Sequence, residues 1–282
     1  MSRIDTHQHL IYPERFMYAW AADTPALAGR AFTVEDYQKA AEGCGITGSL
    51  FMEVDVKPEH ASTEAAFICK LAEDPANRIL GVIASGRPEN PRFAEHLETL
   101  LHPRLVGLRR ILHTQPDELS RSTTFRENVG SLGGLGLTFD ICALARQLPI
   151  VTELIDACPD TQFILDHCGG PDVAAGQLDP WCPDLRELSL RPNVVCKISG
   201  IIANADPANA TTAALRPFIE HTIECFGWDR LVFGGDWPVC NLTASLRAWN
   251  EILDEILASV DPTDRAKLDH LNARRVYRLT AL

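Results

Sequence analysis

Two histidines stand one residue apart in IDTHQHL, residues 4–10, in a chain that has nine histidines in all. In a strand, residues i and i+2 point to the same face. His7 and His9 therefore project together, with Asp5 expected below them. Two converging imidazoles can bind a metal ion or donate hydrogen bonds to a carbonyl oxygen. Alone, such a pair reads first as two solvated histidines at a strand edge. Other polar residues shift that balance. His167 ends the run QFILDHC, Asp236 ends RLVFGGDW, and Arg109 and Arg110 lie near the end of LVGLRRIL. Glu53 closes ITGSLFMEV, and Lys197 lies in VVCKISG. A charge inside an apolar strand is costly unless it is paired or faces a solvated cavity. The bland alternative is a salt-bridge layer that crosses the strand ends and does no chemistry.

These residues need elements to position them, and the chain supplies a regular series. Short apolar runs recur at 3–9, 46–54, 78–85, 105–112, 137–143, 162–168, 194–200 and 230–237. Each is apolar enough to be buried on both faces, as parallel strands are. Between them lie helical stretches. TVEDYQKAAEGCG has a capping Thr33, an acidic first turn and a glycine stop. TEAAFICKLAED, RFAEHLETLLH, LRPFIEHTIECFG and LTASLRAWNEILDEIL read as amphipathic helices. Eight strand–helix units with no break in composition predict a single (β/α)8 TIM barrel domain spanning residues 1–282. An open doubly wound sheet is the second choice, and it lacks a G-x-G-x-x-G or phosphate loop. In a barrel the polar strand ends meet at the mouth, where active sites of this fold lie. Loops 11–31 and 169–184 cover that mouth and carry Tyr12, Tyr18, Trp20 and Trp181, as substrate walls or as lid packing. Lys197 and Ser199 share a parity, so both could line a pocket, or Lys197 could form a buried ion pair. Asp166 has the opposite parity to His167 and is expected to support it. Asp140 faces either the pocket or a helix. Trp237 and Pro238 are expected to fix the turn presenting Asp236, and His113 follows strand four.

Composition bounds the partners. The chain has 282 residues, 46% of them apolar and 23% charged, with a formal net charge of −12. That acidic balance argues against nucleic acid or an anionic membrane as the main partner. No run approaches the roughly 18 apolar residues of a membrane span. The nine cysteines are scattered without a C-x-x-C pair, which favours reduced thiols and a cytoplasmic location. No signal peptide is expected. The oligomeric state stays open, a homo-oligomer included.

The residues at the strand ends also resemble a known family. His-x-His after strand one, a histidine after strand six and an aspartate after strand eight resemble the amidohydrolase superfamily. IDTHQH, GLRRIL, LTFDI, LDHCGGP, NVVCKISG, FGWDRLVFGGDWPVC and NARRVYRL are similar to its sugar-lactonase branch. That branch includes L-fuconolactonase and L-rhamnono-lactonase types and relatives acting on pyrone-dicarboxylate lactones. The resemblance implies hydrolysis of a cyclic ester in carbohydrate metabolism. Asp236 would be the general base, and His7, His9 and His167 would polarise the carbonyl. A lactone is an activated ester, so it needs little beyond a polarised carbonyl and a deprotonated water. Arg109 matches the G-x-R of the branch, so it, and not Arg110, is expected to face inward and bind substrate, with Lys197, Glu53 and Trp20 as further contacts. Strand four offers no bridging lysine or glutamate, and strand five no histidine. The chain could then hold at most one divalent cation, zinc in the first instance, on His7, His9 and Asp236, with metal-independent action the other option. Lys197 on strand seven, in place of a second arginine, leans the substrate towards neutral sugar lactones. The rival readings are a metal-dependent decarboxylase of the same superfamily, a pyrone-dicarboxylate-type lactonase, and a sugar-binding barrel without catalysis.

Overall fold

The computed structural model describes residues 2–279. Eight parallel strands run in the order β1 to β8: Arg3–Gln8, Ile46–Met52, Ile79–Ser85, Leu105–Ile111, Thr138–Cys142, Gln162–Leu165, Val194–Ile198 and Leu231–Phe233. The sheet closes on itself. Asp236 N–H donates to the His7 carbonyl at 2.8 Å, and His9 N–H donates to the Trp237 carbonyl at 2.8 Å. The fold is the expected (β/α)8 barrel, with a helix after each strand on the outside. The strands are buried on both faces, their polar residues included, because one face meets the barrel interior and the other meets the helices.

The first long helix, Val34–Ala40, starts where the sequence predicts. Thr33 accepts from Asp36 N–H while the Asp36 carboxylate accepts from Thr33 N–H, a reciprocal cap. Helices Ala61–Leu71, Phe93–Leu100, Thr212–Phe226 and Leu246–Ile256 fill the other expected segments. A short helix, Asn272–Val276, closes the floor, where Ala273, Val276 and Tyr277 pack on Ile4, Leu80 and Val195 inside the barrel. No helix among the described residues is long and apolar enough to cross a membrane.

Two local departures decide where the site residues point. The first is in β1. Asp5 pairs with Ser49 and Gln8 with Phe51, so β1 uses one more residue than β2 over the same span. This bulge turns His7 inward but leaves Asp5 outward, against the expectation that Asp5 lies below the histidines. Asp5 instead accepts from Tyr37 Oη at 2.7 Å and from the N–H groups of Gly235 and His7. It clamps helix Val34–Ala40 and the β8 turn onto β1. The second departure concerns strand length. β6 stops at Leu165 and β8 at Phe233, short of the predicted 168 and 237. Past those ends the chain turns in left-handed conformation, with φ of 55° at His167 and 54° at Asp236.

Candidate active site

The barrel mouth opens into a cavity of about 800 Å³. His9, Arg109, His167, Asp236 and Trp20 line it, with His113 and Cys142 on the wall formed by β4 and β5. His7 lies just beneath, fully buried. Its ring centroid is 4.5 Å from that of His167 and 4.9 Å from that of His9. His7 Nε2 is 3.6 Å from Asp236 Oδ1, and His9 Nε2 is 3.4 Å from the same oxygen. Four groups from strands one, six and eight therefore meet at one point.

Glycines make this convergence sterically possible. A Cβ on Gly200 would come within 2.1 Å of His167 Nδ1, and one on Gly234 within 2.8 Å of the His7 and Ser199 Cβ atoms. The glycines of CKISG and FGGDW thus leave the space that the imidazoles fill. His167 Nδ1 is held at 2.9 Å from Ser199 Oγ. His9 Nδ1 donates to the Met52 carbonyl at 3.0 Å, which leaves Nε2 facing the Asp236 carboxylate.

The electrostatics assign protonation states. Burial, then the Lys197 ammonium, push the His7 imidazole well below its usual range, so the ring is neutral. Burial also lowers His167, with Asp236 and Asp166 opposing. Burial alone would raise the Asp236 carboxyl, but His167, His9 and His7 around it hold it at about 2. The site is a carboxylate surrounded by imidazoles.

The cluster also fits a cation. Ligand atoms of His7, His9 and Asp236 lie within 4.8 Å of one another. A tetrahedral zinc with bonds of about 2.0–2.1 Å needs ligands about 3.3–3.4 Å apart, close to the spacing around Asp236 Oδ1. With Nδ1 of His9 committed to Met52, its Nε2 lone pair and the Asp236 oxygen need a proton or a cation between them.

Arg109 faces inward and Arg110 does not. Arg109 Nε donates to Glu53 Oε1 and Nη2 to the Glu53 carbonyl, both at 2.7 Å, while Nη1 reaches His7 Nε2 at 3.3 Å. Arg110 pairs with Glu89 on the other side of the strand. Two residues expected to touch substrate lie elsewhere. Glu53 is buried behind Arg109, its second oxygen accepting from Asp55 N–H, so it orients the guanidinium and does not line the cavity. Lys197 is also outside the cavity lining. Its ammonium sits fully buried between Asp140 Oδ2 at 2.8 Å and Asp166 Oδ1 at 2.9 Å, with His7 Nδ1 at 3.2 Å. An unpaired ammonium could not remain at that depth, and two carboxylates hold it there. Strand parity fails for Asp166 because residue 166 lies past the end of β6, so both it and His167 reach inward.

Trp20 lines the cavity and is pinned by its indole N–H to the Val54 carbonyl at 2.8 Å. Trp181 also lines it, whereas Tyr12 and Tyr18 pack within the loop. Trp237 packs between Phe32 and Tyr37, as a turn-fixing residue should. The buried ion pair, one of the two sequence readings of Lys197, is present with Asp140 and Asp166 as its acids. Sequence reasoning missed Tyr277 beside it and the cavity residues Asp55, Arg146, Asp172 and Asn204. The loop residues carry no periodic signal. Tyr277 comes from the opposite end of the chain.

The sequence profile of the amidohydrolase family matches residues 4–279. An L-fucono-1,5-lactonase of Burkholderia multivorans is 30% identical over 98% of this chain and 96% of its own. An L-fucono-1,5-lactonase of Burkholderia ambifaria is 25% identical over 98% of this chain and 96% of its own. The crystal structure of an amidohydrolase from Burkholderia multivorans with bound zinc superposes with a TM-score of 0.90 at 28% identity, covering 99% of this chain and 100% of that one.

Proposed function

Because this chain belongs to the amidohydrolase family, we propose that it is a hydrolase of cyclic esters that opens a sugar-acid lactone. The observation that carries this reading is the meeting of His7, His9, His167 and Asp236 at the base of one cavity. Water bound at Asp236 gives up its proton as it attacks the lactone carbonyl carbon. The carboxylate is ionised at neutral pH. It is a weak base, so its contribution depends on being held against the reacting water. Negative charge then develops on the carbonyl oxygen, and His167 and the Arg109 guanidinium supply the positive end of the field. As the ring opens, the proton held by Asp236 passes to the departing ring oxygen. His7, His9 and Asp236 would hold a single divalent cation, zinc by the donor set, which when bound would add Lewis acidity to the same centre.

The charge pattern favours a neutral lactone. Both arginines on the cavity wall are already paired, Arg109 with Glu53 and Arg146 with Asp117. Asp172 and Asp179 add negative charge to the same wall, while Asp55 there is paired with Arg87 at 3.5 Å. Hydroxyl groups suit such carboxylate acceptors, and substrate carboxylates would be repelled.

A pH-indicator screen of the purified protein against a lactone library, with and without chelator, tests the proposal. Acid release from one or more neutral sugar lactones is expected. Asp236→Asn should lower kcat/KM by about 10³-fold, within the range for losing a positioned base. Carbon dioxide release from an aromatic acid, with no acid release from any lactone, would replace the reading with a decarboxylase.

A further inference from the structure

The cavity wall opposite Asp236 carries a fourth imidazole that the ring-opening steps leave unused. His113 follows β4, and its backbone N–H donates to the Cys142 carbonyl at 3.3 Å. Its Nδ1 lies 3.3 Å from the Cys142 thiol at the end of β5. Both residues line the cavity. Nε2 of His113 has no hydrogen-bond partner among the described residues, and the ring is exposed to the cavity.

The pairing defines which proton the imidazole carries. Burial pushes the Cys142 thiol up to about 12, so it stays S–H and is no nucleophile. A thiol is a weak donor and a poor acceptor, whereas an imidazole nitrogen accepts well. The favoured arrangement is Cys142 S–H donating to His113 Nδ1, with the ring proton on Nε2. Partial burial in the cavity wall, then Arg109 and His167, hold His113 below its usual range, so the ring is neutral. It offers the cavity one N–H donor and no charge.

We propose that His113 is a specificity-determining residue whose Nε2–H binds a hydroxyl of the lactone ring, and that Cys142 is the positioning residue that fixes its tautomer. The inference rests on the lactonase reading. The scissile carbonyl must sit over Asp236, so the oxygen met by His113 belongs to a substituent elsewhere on the ring. A wall built to hydrogen-bond a hydroxyl rejects an analogue that lacks it, because the donor is left unpaired.

Two measurements test this. The first compares kcat/KM on the best hydroxylated sugar lactone with that on δ-valerolactone, which has no hydroxyl. His113→Phe should lose about 10- to 100-fold on the sugar lactone and stay within about twofold on δ-valerolactone. Cys142→Ala should show part of that loss, and Cys142→Ser should restore it. The second is the ¹⁵N signature of His113 in the free protein. It should report the Nε2–H tautomer in the wild type and in Cys142→Ser, and a tautomer mixture in Cys142→Ala. Equal losses on both lactones, or an Nδ1–H tautomer in the wild type, would overturn the assignment while leaving the lactonase reading intact. Absence of turnover on every lactone would overturn that reading instead, and the ¹⁵N signature would still decide the role of Cys142.

Discussion

Asp236 and His167 both adopt left-handed backbone conformations, with φ of 54° and 55°. Such values cost energy in residues with a Cβ and are found where surrounding structure holds a functional side chain in place. Asparagine tolerates this region well, so Asp236→Asn isolates the loss of the base from any loss of folding. Glu64 raises a different residue-level question. It is fully buried on helix Ala61–Leu71, and its Oε1 has no partner. Burial, then the nearby Glu53 charge, push its carboxyl well above the usual range. A folded-state pKa above the unfolded one means that the stabilising contribution is complete below the unfolded value, near 4.5. It is lost as pH rises through the folded value. Glu64→Gln keeps the shape and removes the ionisation. Its melting temperature should exceed that of the wild type, and the gap should widen from pH 5 to pH 8 in a thermal-melt series. A gap that is constant with pH would show that Glu64 does not titrate in this range.

Elements determine whether those residues meet. Gly200 leads out of β7 with φ of 66°, and its missing Cβ is the space occupied by His167. Gly200→Ala should push His167 off Ser199, cost about 1–3 kcal/mol of stability through overpacking, and lower kcat about 100-fold, as misplacement of a site group does. Urea denaturation and steady-state kinetics check the two effects separately. A variant that keeps full kcat would show that His167 is dispensable. At this scale the sequence was readable where the physics is local. The eight apolar runs and the Thr33 cap follow from burial and capping. Alternation allows only one of Arg109 and Arg110 inward, and the resemblance to the G-x-R of the lactonase branch selects Arg109. What alternation cannot reveal is where it stops. The extra residue in β1 reverses Asp5, and the early ends of β6 and β8 free Asp166 and Asp236 from strand parity. Those breaks depend on pairing with a neighbouring strand and leave no mark in the run itself.

Across the whole barrel, floor and mouth are joined by one polar column. Tyr277 Oη donates to Asp140 Oδ2 at 3.1 Å, and the same oxygen accepts from Lys197 at 2.8 Å. Lys197 then reaches Asp166 and the His7 ring. One ammonium is shared by two buried carboxylates, and they do not share it equally. Burial raises Asp140 to about 6 despite Lys197, while Lys197 and His7 hold Asp166 well below the usual range against its burial. Removing Lys197 would strand both acids, a change that in buried pairs costs about 3–5 kcal/mol. Asp140→Asn keeps the acceptor for Tyr277 and removes the costlier of the two charges, so by itself it should be mild. The pair then has a definite coupling. Lys197→Met should be strongly destabilised in urea at pH 7, and adding Asp140→Asn should recover about half of the loss. Asp166→Asn should recover less in the Lys197→Met background, because Asp166 is also stabilised from the His7 side. Equal recovery from the two would mean that the column is a symmetric ion cluster, with no directed link between the C-terminal helix and the imidazoles above it.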